Sequence, residues 1–238
     1  MAYDAAIGSL AHLRDEIAPK PVVQSDLVWK GLVFDVRRDR VDLGTGEVVT
    51  RDYADHPGAV LILALREIDG VDHIVMIRQY RHACRSYLWE LPAGLLDIPG
   101  EPPRDAAERE LREEVDLVAG RWDLLIDAYA SAGVFPEIYR VFLARDVGPP
   151  PRQPHARTGG EADLTTRWVS LDDAYAAALG GQLHNPGALL GIMAAWGARA
   201  QGWSTLRPHD DPWPEHPAYR DGRRTGPRGT GSAGPTRS

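Results

Sequence analysis

Apolar and polar side chains alternate over residues 28–36 and again over 40–52, with β-branched residues enriched and Gly44-Thr-Gly46 supplying a turn. A period of two buries one face of a strand, so this stretch predicts a small antiparallel sheet near the N-terminus. Residues 59–66 and 73–80 are more continuously apolar, and the turn-forming pair Asp69-Gly70 lies between them. They read as core strands of a hairpin. Residues 95–103 form a Pro/Gly-rich loop, and a helix is predicted over 104–117, with prolines only at its entrance, where a missing amide donor does no harm. Further strands are predicted at 122–129, 138–144 and 164–169, then helices at 171–179 and 186–200, the second opened by Asn185-Pro186. Strands, helix, strands, helices describe an α/β chain with a mixed sheet better than a doubly wound parallel one.

From Trp203 the pattern lapses: the last 36 residues hold six Pro and five Gly. Such a segment has little apolar surface to offset its ordering entropy, so 203–238 is expected to stay largely unfolded. The alternative is a partner-docking arm built on Trp203, Trp213 and Tyr219. The expected organisation is therefore an N-terminal helix/β segment over 1–56, a main domain over 57–202 and the tail. With 43% hydrophobic residues the chain has ample material for a core. Its net charge of −7 argues against a nucleic-acid partner, because phosphate-backbone affinity rests on basic residues. Cys84, the one cysteine, allows no internal disulfide and no thiolate zinc cluster, which fits a reducing compartment. The N-terminus shows no secretory pattern, and no apolar run approaches the roughly 18 residues of a membrane span. A cytoplasmic protein is expected. The eight histidines show no metal-ligand spacing and read as structural or solvent-facing.

The chemistry is concentrated in Arg109-Glu-Leu-Arg-Glu-Glu114. On a helix Glu110, Glu113 and Glu114 share one face, beside an apolar stripe of Ala107, Leu111 and Val115. Like charges three and four residues apart repel, and a hard divalent cation such as Mg²⁺ is a natural compensator. A merely solvated acidic face, partly neutralised by Arg109 and Arg112, explains the spacing equally well.

The surrounding residues separate these readings. Gly94-Leu-Leu-Asp-Ile-Pro-Gly-Glu101, seven further residues, and Arg109-Glu-Leu-Arg-Glu-Glu114-Val-Asp-Leu117 resemble the Nudix box of diphosphate hydrolases, G-x5-E-x7-R-E-U-x-E-E-x-G-U, where U is aliphatic. Two positions depart from it: one extra residue lies between Gly94 and Glu101, and Asp116 stands where glycine is usual. Arg78-Gln-Tyr-Arg81, Trp89-Glu-Leu-Pro-Ala-Gly94 and Gly160-Glu-Ala-Asp-Leu164 are similar to the ADP-ribose pyrophosphatase branch of that family.

The resemblance implies an α/β/α sandwich preceded by an N-terminal sheet shared across a homodimer. It implies hydrolysis of a small nucleoside diphosphate, ADP-ribose first, to AMP and ribose 5-phosphate. Mg²⁺, with Mn²⁺ as a substitute, would be held by Glu110, Glu113 and Glu114 with the Ala93 carbonyl; Arg109 would orient a box glutamate and Glu101 would support the box. Glu137 and Glu161 are the two candidates for the base that activates water, and Arg78, Arg81 and Glu90 are candidates for substrate binding. Ala132 stands where this branch tends to carry proline, and the nearby proline is Pro136, so another nucleoside diphosphate sugar or an NADH-like dinucleotide is the alternative substrate. A non-catalytic nucleotide sensor is the reading from another class, and it is weakened by the intact box.

Overall fold

A computed structural model describes residues 8–10, 13–151 and 164–220. Three strands, β1 (Val22–Lys30), β2 (Asp35–Asp42) and β3 (Val48–Asp55), form a separate antiparallel sheet in that order. The sequence pattern predicts two strands here and the structure has three, because each predicted run straddles a turn, 40–52 spanning the end of β2 and the start of β3. The predicted run 28–36 straddles a turn: its first residues end β1 and its last begin β2. The Gly44-Thr-Gly46 turn joins β2 to β3, with both glycines at positive φ. The described part of the segment preceding β1 contains no α-helix.

The main sheet has eight strands. β4 (Ala59–Ile68) and β5 (Val71–Arg81) form the expected hairpin, and Asp69 and Gly70 both take the positive φ that a tight two-residue turn requires. β6 (Ser86–Glu90) and β7 (Ala93–Leu95) follow, then β8 (Val118–Tyr129), β9 (Ile138–Gly148), β10 (Thr165–Ser170) and β11 (Arg207–Pro208). The path is β10-β5-β4-β9-β8-β11, with β6 on β5 and β7 on β4; β4 and β9 run parallel while the other pairs are antiparallel. The sheet is therefore mixed.

Strand periodicity divides the core into two layers. Along β4, Val60, Ile62 and Ala64 face α1 (Pro103–Val115) and pack with its Ala106, Ala107, Leu111 and Val115. Leu61, Leu63 and Leu65 point the other way, into the layer of α2 (Leu171–Leu179) and α3 (Pro186–Ala200) with Ala174, Ala188, Ile192 and Ala195. A strand buried on both faces needs an unbroken apolar run, which residues 59–65 supply. The result is an α/β/α sandwich.

The C-terminal expectation needs correction over 203–220. Trp213 is only 4% exposed, packs in the α1 layer and lies under Arg140, whose guanidinium carbon is 4.3 Å from its ring centroid. Arg140 is itself buried. It pairs with Asp127 at 2.9 Å and donates to the Asp211 carbonyl at 2.8 Å. Three aromatic side chains and two charge anchors, Arg140 and Arg207, supply what a count of prolines and glycines misses. Trp203, Trp213 and Tyr219 thus pack against their own chain rather than forming a free docking arm. Residues 221–238 lie outside the described residues.

Candidate active site

Helix α1 begins at Pro103 and ends at Val115, capped by Asp116, which adopts the left-handed conformation with φ 54° while Leu117 donates back to the Leu111 carbonyl at 3.3 Å. Asp therefore accepts the geometry that the family pattern gives to glycine. One helical face presents the carboxylates, and the adjacent apolar stripe fixes that face by burial of Ala106, Ala107 and Leu111.

Arg109 gathers the box. Its Nε and Nη2 donate to the two oxygens of Glu101, each at 3.0 Å, and its Nη1 donates to Glu110 at 2.5 Å and to Glu113 at 3.1 Å. These carboxylates hold the guanidinium well above the ordinary arginine range, so it stays charged. Glu114 is 6% exposed and accepts the Ala93 backbone N–H at 2.9 Å. Gly94 packs beneath Glu110: a Cβ there would stand 2.1 Å from the Glu110 Cδ. The sequence pattern does not mark the short β7, which carries Ala93 and Gly94 and pairs with β4, because Pro92 precedes it and a glycine sits at its centre.

A second cluster adjoins the first. Arg81, at the end of β5, binds the buried Glu90 through two bonds of 2.8 and 2.6 Å and also feels the charge of Glu114. Glu90, a candidate for substrate binding, is 2% exposed with both oxygens on Arg81. Glu137 is largely buried, and that burial pushes its carboxyl upward against the opposing pull of Arg81. Tyr139, two residues on, is pushed up to about 12, chiefly by burial and then by Glu137 and Glu90. His56 Nδ1 stands 3.4 Å from Glu137 Oε1. Neither His56 nor Tyr139 was singled out from the sequence. His56 lacks metal-ligand spacing and Tyr139 looks like any strand tyrosine.

Not every candidate converges. Arg78 alternates to the face opposite Arg81 and lies over the Tyr87 ring at 4.7 Å. Glu161 lies outside the described residues. The loop before Glu137 borders a cavity of about 360 Å³ lined by Tyr53, Tyr129, Ala132, Val134, Phe135 and Pro136, among others.

The donor set suits a hard divalent cation. Glu110, Glu113 and Glu114 offer only oxygens, and in the two clusters the carboxylates outnumber the guanidiniums Arg81 and Arg109. Among the described residues no three acidic or histidine side chains are already gathered into a cage. Arg109 sits between Glu110 and Glu113.

An α/β/α sandwich that sets three glutamates on one helix, two of them held by an arginine and one packed against a glycine of the neighbouring strand, suits chemistry on phosphate compounds. The comparisons make this specific. The model of the NUDIX domain matches residues 55–187, and the chain belongs to that family. It is 40% identical over 205 residues to an ADP-ribose pyrophosphatase of Mycobacterium tuberculosis, covering 85% of this chain and 95% of that protein. It is 34% identical over 125 residues to an ADP-ribose pyrophosphatase of Bacillus subtilis, covering 52% of this chain and 65% of that one. A crystal structure of an ADP compounds hydrolase superposes with a TM-score of 0.59 at 23% identity, covering 79% of this chain and 99% of that chain.

Proposed function

We propose that this protein hydrolyses the diphosphate bond of ADP-ribose, giving AMP and ribose 5-phosphate with the aid of Mg²⁺, for which Mn²⁺ can substitute. The observation that carries the reading is the complete Arg109, Glu110, Glu113 and Glu114 set on α1, in a chain 40% identical to an ADP-ribose pyrophosphatase along almost all of that relative. Glu110, Glu113 and Glu114, with the Ala93 carbonyl, are proposed to hold the cation, which neutralises the diphosphate and polarises the attacked phosphorus.

The remaining roles belong to the chain's own side chains. Arg109 orients Glu110 and Glu113 and is itself held by Glu101. Arg81, aimed by Glu90, offers a guanidinium to a phosphate oxygen. Arg78, on the other face with Tyr87, suits stacking rather than the diphosphate itself. Two carboxylates are proposed for activating the water, Glu137 and Glu161. Burial makes Glu137 a better proton acceptor near neutral pH than an exposed glutamate. Replacing each by Gln in parallel separates them: loss of the base lowers kcat by about 10²-fold or more, and an unchanged kcat removes that residue from the role.

Release of products from ADP-ribose, NADH, GDP-mannose and UDP-glucose tests the substrate. AMP and ribose 5-phosphate formed fastest from ADP-ribose, and lost on chelation, is the expected result. The altered loop at Ala132 and Pro136, bordering the cavity beside Glu137, favours another nucleoside diphosphate sugar or a dinucleotide as the second reading. A homodimer is also proposed. All of β1 is exposed, including Val23, Leu27 and Trp29 at 57%, 52% and 54%, and a second copy would cover this sheet. Trp29→Glu should then shift the mass in solution from dimer to monomer. The free, exposed Cys84 fits the proposed cytoplasmic location, and among the described residues no helix is long and apolar enough to cross a membrane.

A further inference from the structure

We propose that His56 is a positioning residue for the reaction, fixing the Glu137 carboxyl group and sharing one proton with it. The inference rests on the reading that Glu137 belongs to the reacting centre.

His56 lies in the link Asp55-His56-Pro57-Gly58 between β3 and β4, so it ties the N-terminal sheet to the catalytic sandwich. Its side chain is 9% exposed, and its Nδ1 is 3.4 Å from Glu137 Oε1. The Gly58 backbone N–H donates to the same Nδ1 at 3.2 Å. A neutral imidazole nitrogen that accepts an N–H carries no proton of its own, so a carboxylate oxygen beside it would set two acceptors in contact. One proton between Nδ1 and Oε1, taking up the lone pair that otherwise accepts from Gly58, turns that contact into an attraction, and the two groups then titrate as a unit.

The backbone around the pair is fixed. Gly58 takes φ +84°, and a Cβ there would stand 2.7 Å from Nε2 of His216, which itself contacts the Pro57 carbonyl at 2.9 Å. His216 thus holds residues 57–58 from one side while His56 meets Glu137 on the other. Among the described residues, His56, Arg81 from β5 and Tyr139 from β9 bear on Glu137. Arg81 favours the carboxylate; His56 supplies the place for a proton when the carboxyl gains one. A carboxyl held from both sides keeps one orientation, which is what a group acting on a water molecule requires.

The test is the pH dependence of kcat and KM for ADP-ribose in the natural protein, His56→Phe, His56→Asn, Glu137→Gln and the double variant His56→Phe with Glu137→Gln, with thermal melts alongside. His56→Phe should lower kcat by roughly tenfold to a hundredfold with little change in KM. His56→Asn, whose amide can hold the carboxyl without exchanging a proton, should recover most of kcat but leave the acidic limb of the profile displaced. The double variant should be no slower than Glu137→Gln alone, as residues acting as one unit are non-additive. If Glu137→Gln is slow while His56→Phe keeps the natural kcat and profile, or if the two losses multiply, the proposal falls and the Glu137 reading stands. If Glu137→Gln turns over like the natural protein, the underlying reading itself fails. Should His56→Phe not fold, His56→Asn decides: an acidic limb in its natural place overturns the shared proton.

Discussion

The backbone N–H of Ala93 donates to Oε2 of Glu114 at 2.9 Å, across 21 positions of sequence. That bond joins β7 to the last turn of α1 and fixes a carboxylate that is 6% exposed. The hydrogen bond turns one oxygen toward the strand and thereby orients the other, so the same contact that closes the fold aims a proposed ligand. Glu114→Gln preserves the shape and an acceptor oxygen while removing the charge. Its expected outcome is a loss of at least about a hundredfold in kcat for ADP-ribose, with circular dichroism and melting temperature close to those of the natural protein.

Gly94 is the steric counterpart of that contact. An added Cβ would lie 2.1 Å from both Cγ and Cδ of Glu110, and β7 is pinned by its pairing with β4, so the carboxylate must swing away. Gly94→Ala is expected to displace Glu110 from Arg109, weaken Mg²⁺ activation and cost about 1–3 kcal/mol of stability. A titration of activity against Mg²⁺, together with a urea melt, checks both effects; an unchanged metal requirement would refute the displacement.

Much of this site was legible because two periodicities and a motif agreed. The three-and-four spacing of Glu110, Glu113 and Glu114 beside the stripe of Ala107, Leu111 and Val115 specifies both the carboxylate face and the apolar face of α1, and the structure has both, although Glu114 is itself buried. Helices α2 and α3 match their predicted bounds because Ser170 and Asn185 cap them through bonds to the amides of Asp173 and Ala188. What was hidden depends on contacts between distant residues. Nothing local marks His56 as a neighbour of Glu137, and Glu90 reads as a free carboxylate until β6 pairs with β5 and sets it against Arg81. The stretch 203–220 misled for the same reason. Its prolines are visible in the sequence, whereas the Arg140 and Asp127 pair that anchors it is a product of β8 pairing with β9.

That anchored segment gives a stability prediction. Trp213 is buried beneath Arg140 and stacks on Tyr219 with ring centroids 5.7 Å apart. Trp213→Ala leaves a void in the α1 layer and deprives Arg140 of its aromatic partner, at an expected cost of about 3–5 kcal/mol. Calorimetry should show Tm lower by roughly 10 °C or more. Had the segment been an unfolded tail, the change would be within experimental error.

His216 makes the stability of the same region depend on pH. Its ring is largely buried and its pKa is lowered, first by burial and then by Arg140 and Arg220, against the opposing bond to Pro57. Protonation is therefore easier in the unfolded chain, where histidine titrates near about 6.5. The contribution from neutral His216 is fully present above that value and is lost as pH falls through it toward the lowered folded pKa. Glu137 acts in the opposite sense: its raised folded pKa gives stability that is present below the ordinary glutamate range and is lost as pH rises through the folded value. Urea unfolding at mildly acidic and neutral pH should show His216→Gln with a flatter fall toward acid than the natural protein, and Glu137→Gln with a steeper one. Identical slopes in all three proteins would mean that neither buried group couples protonation to folding.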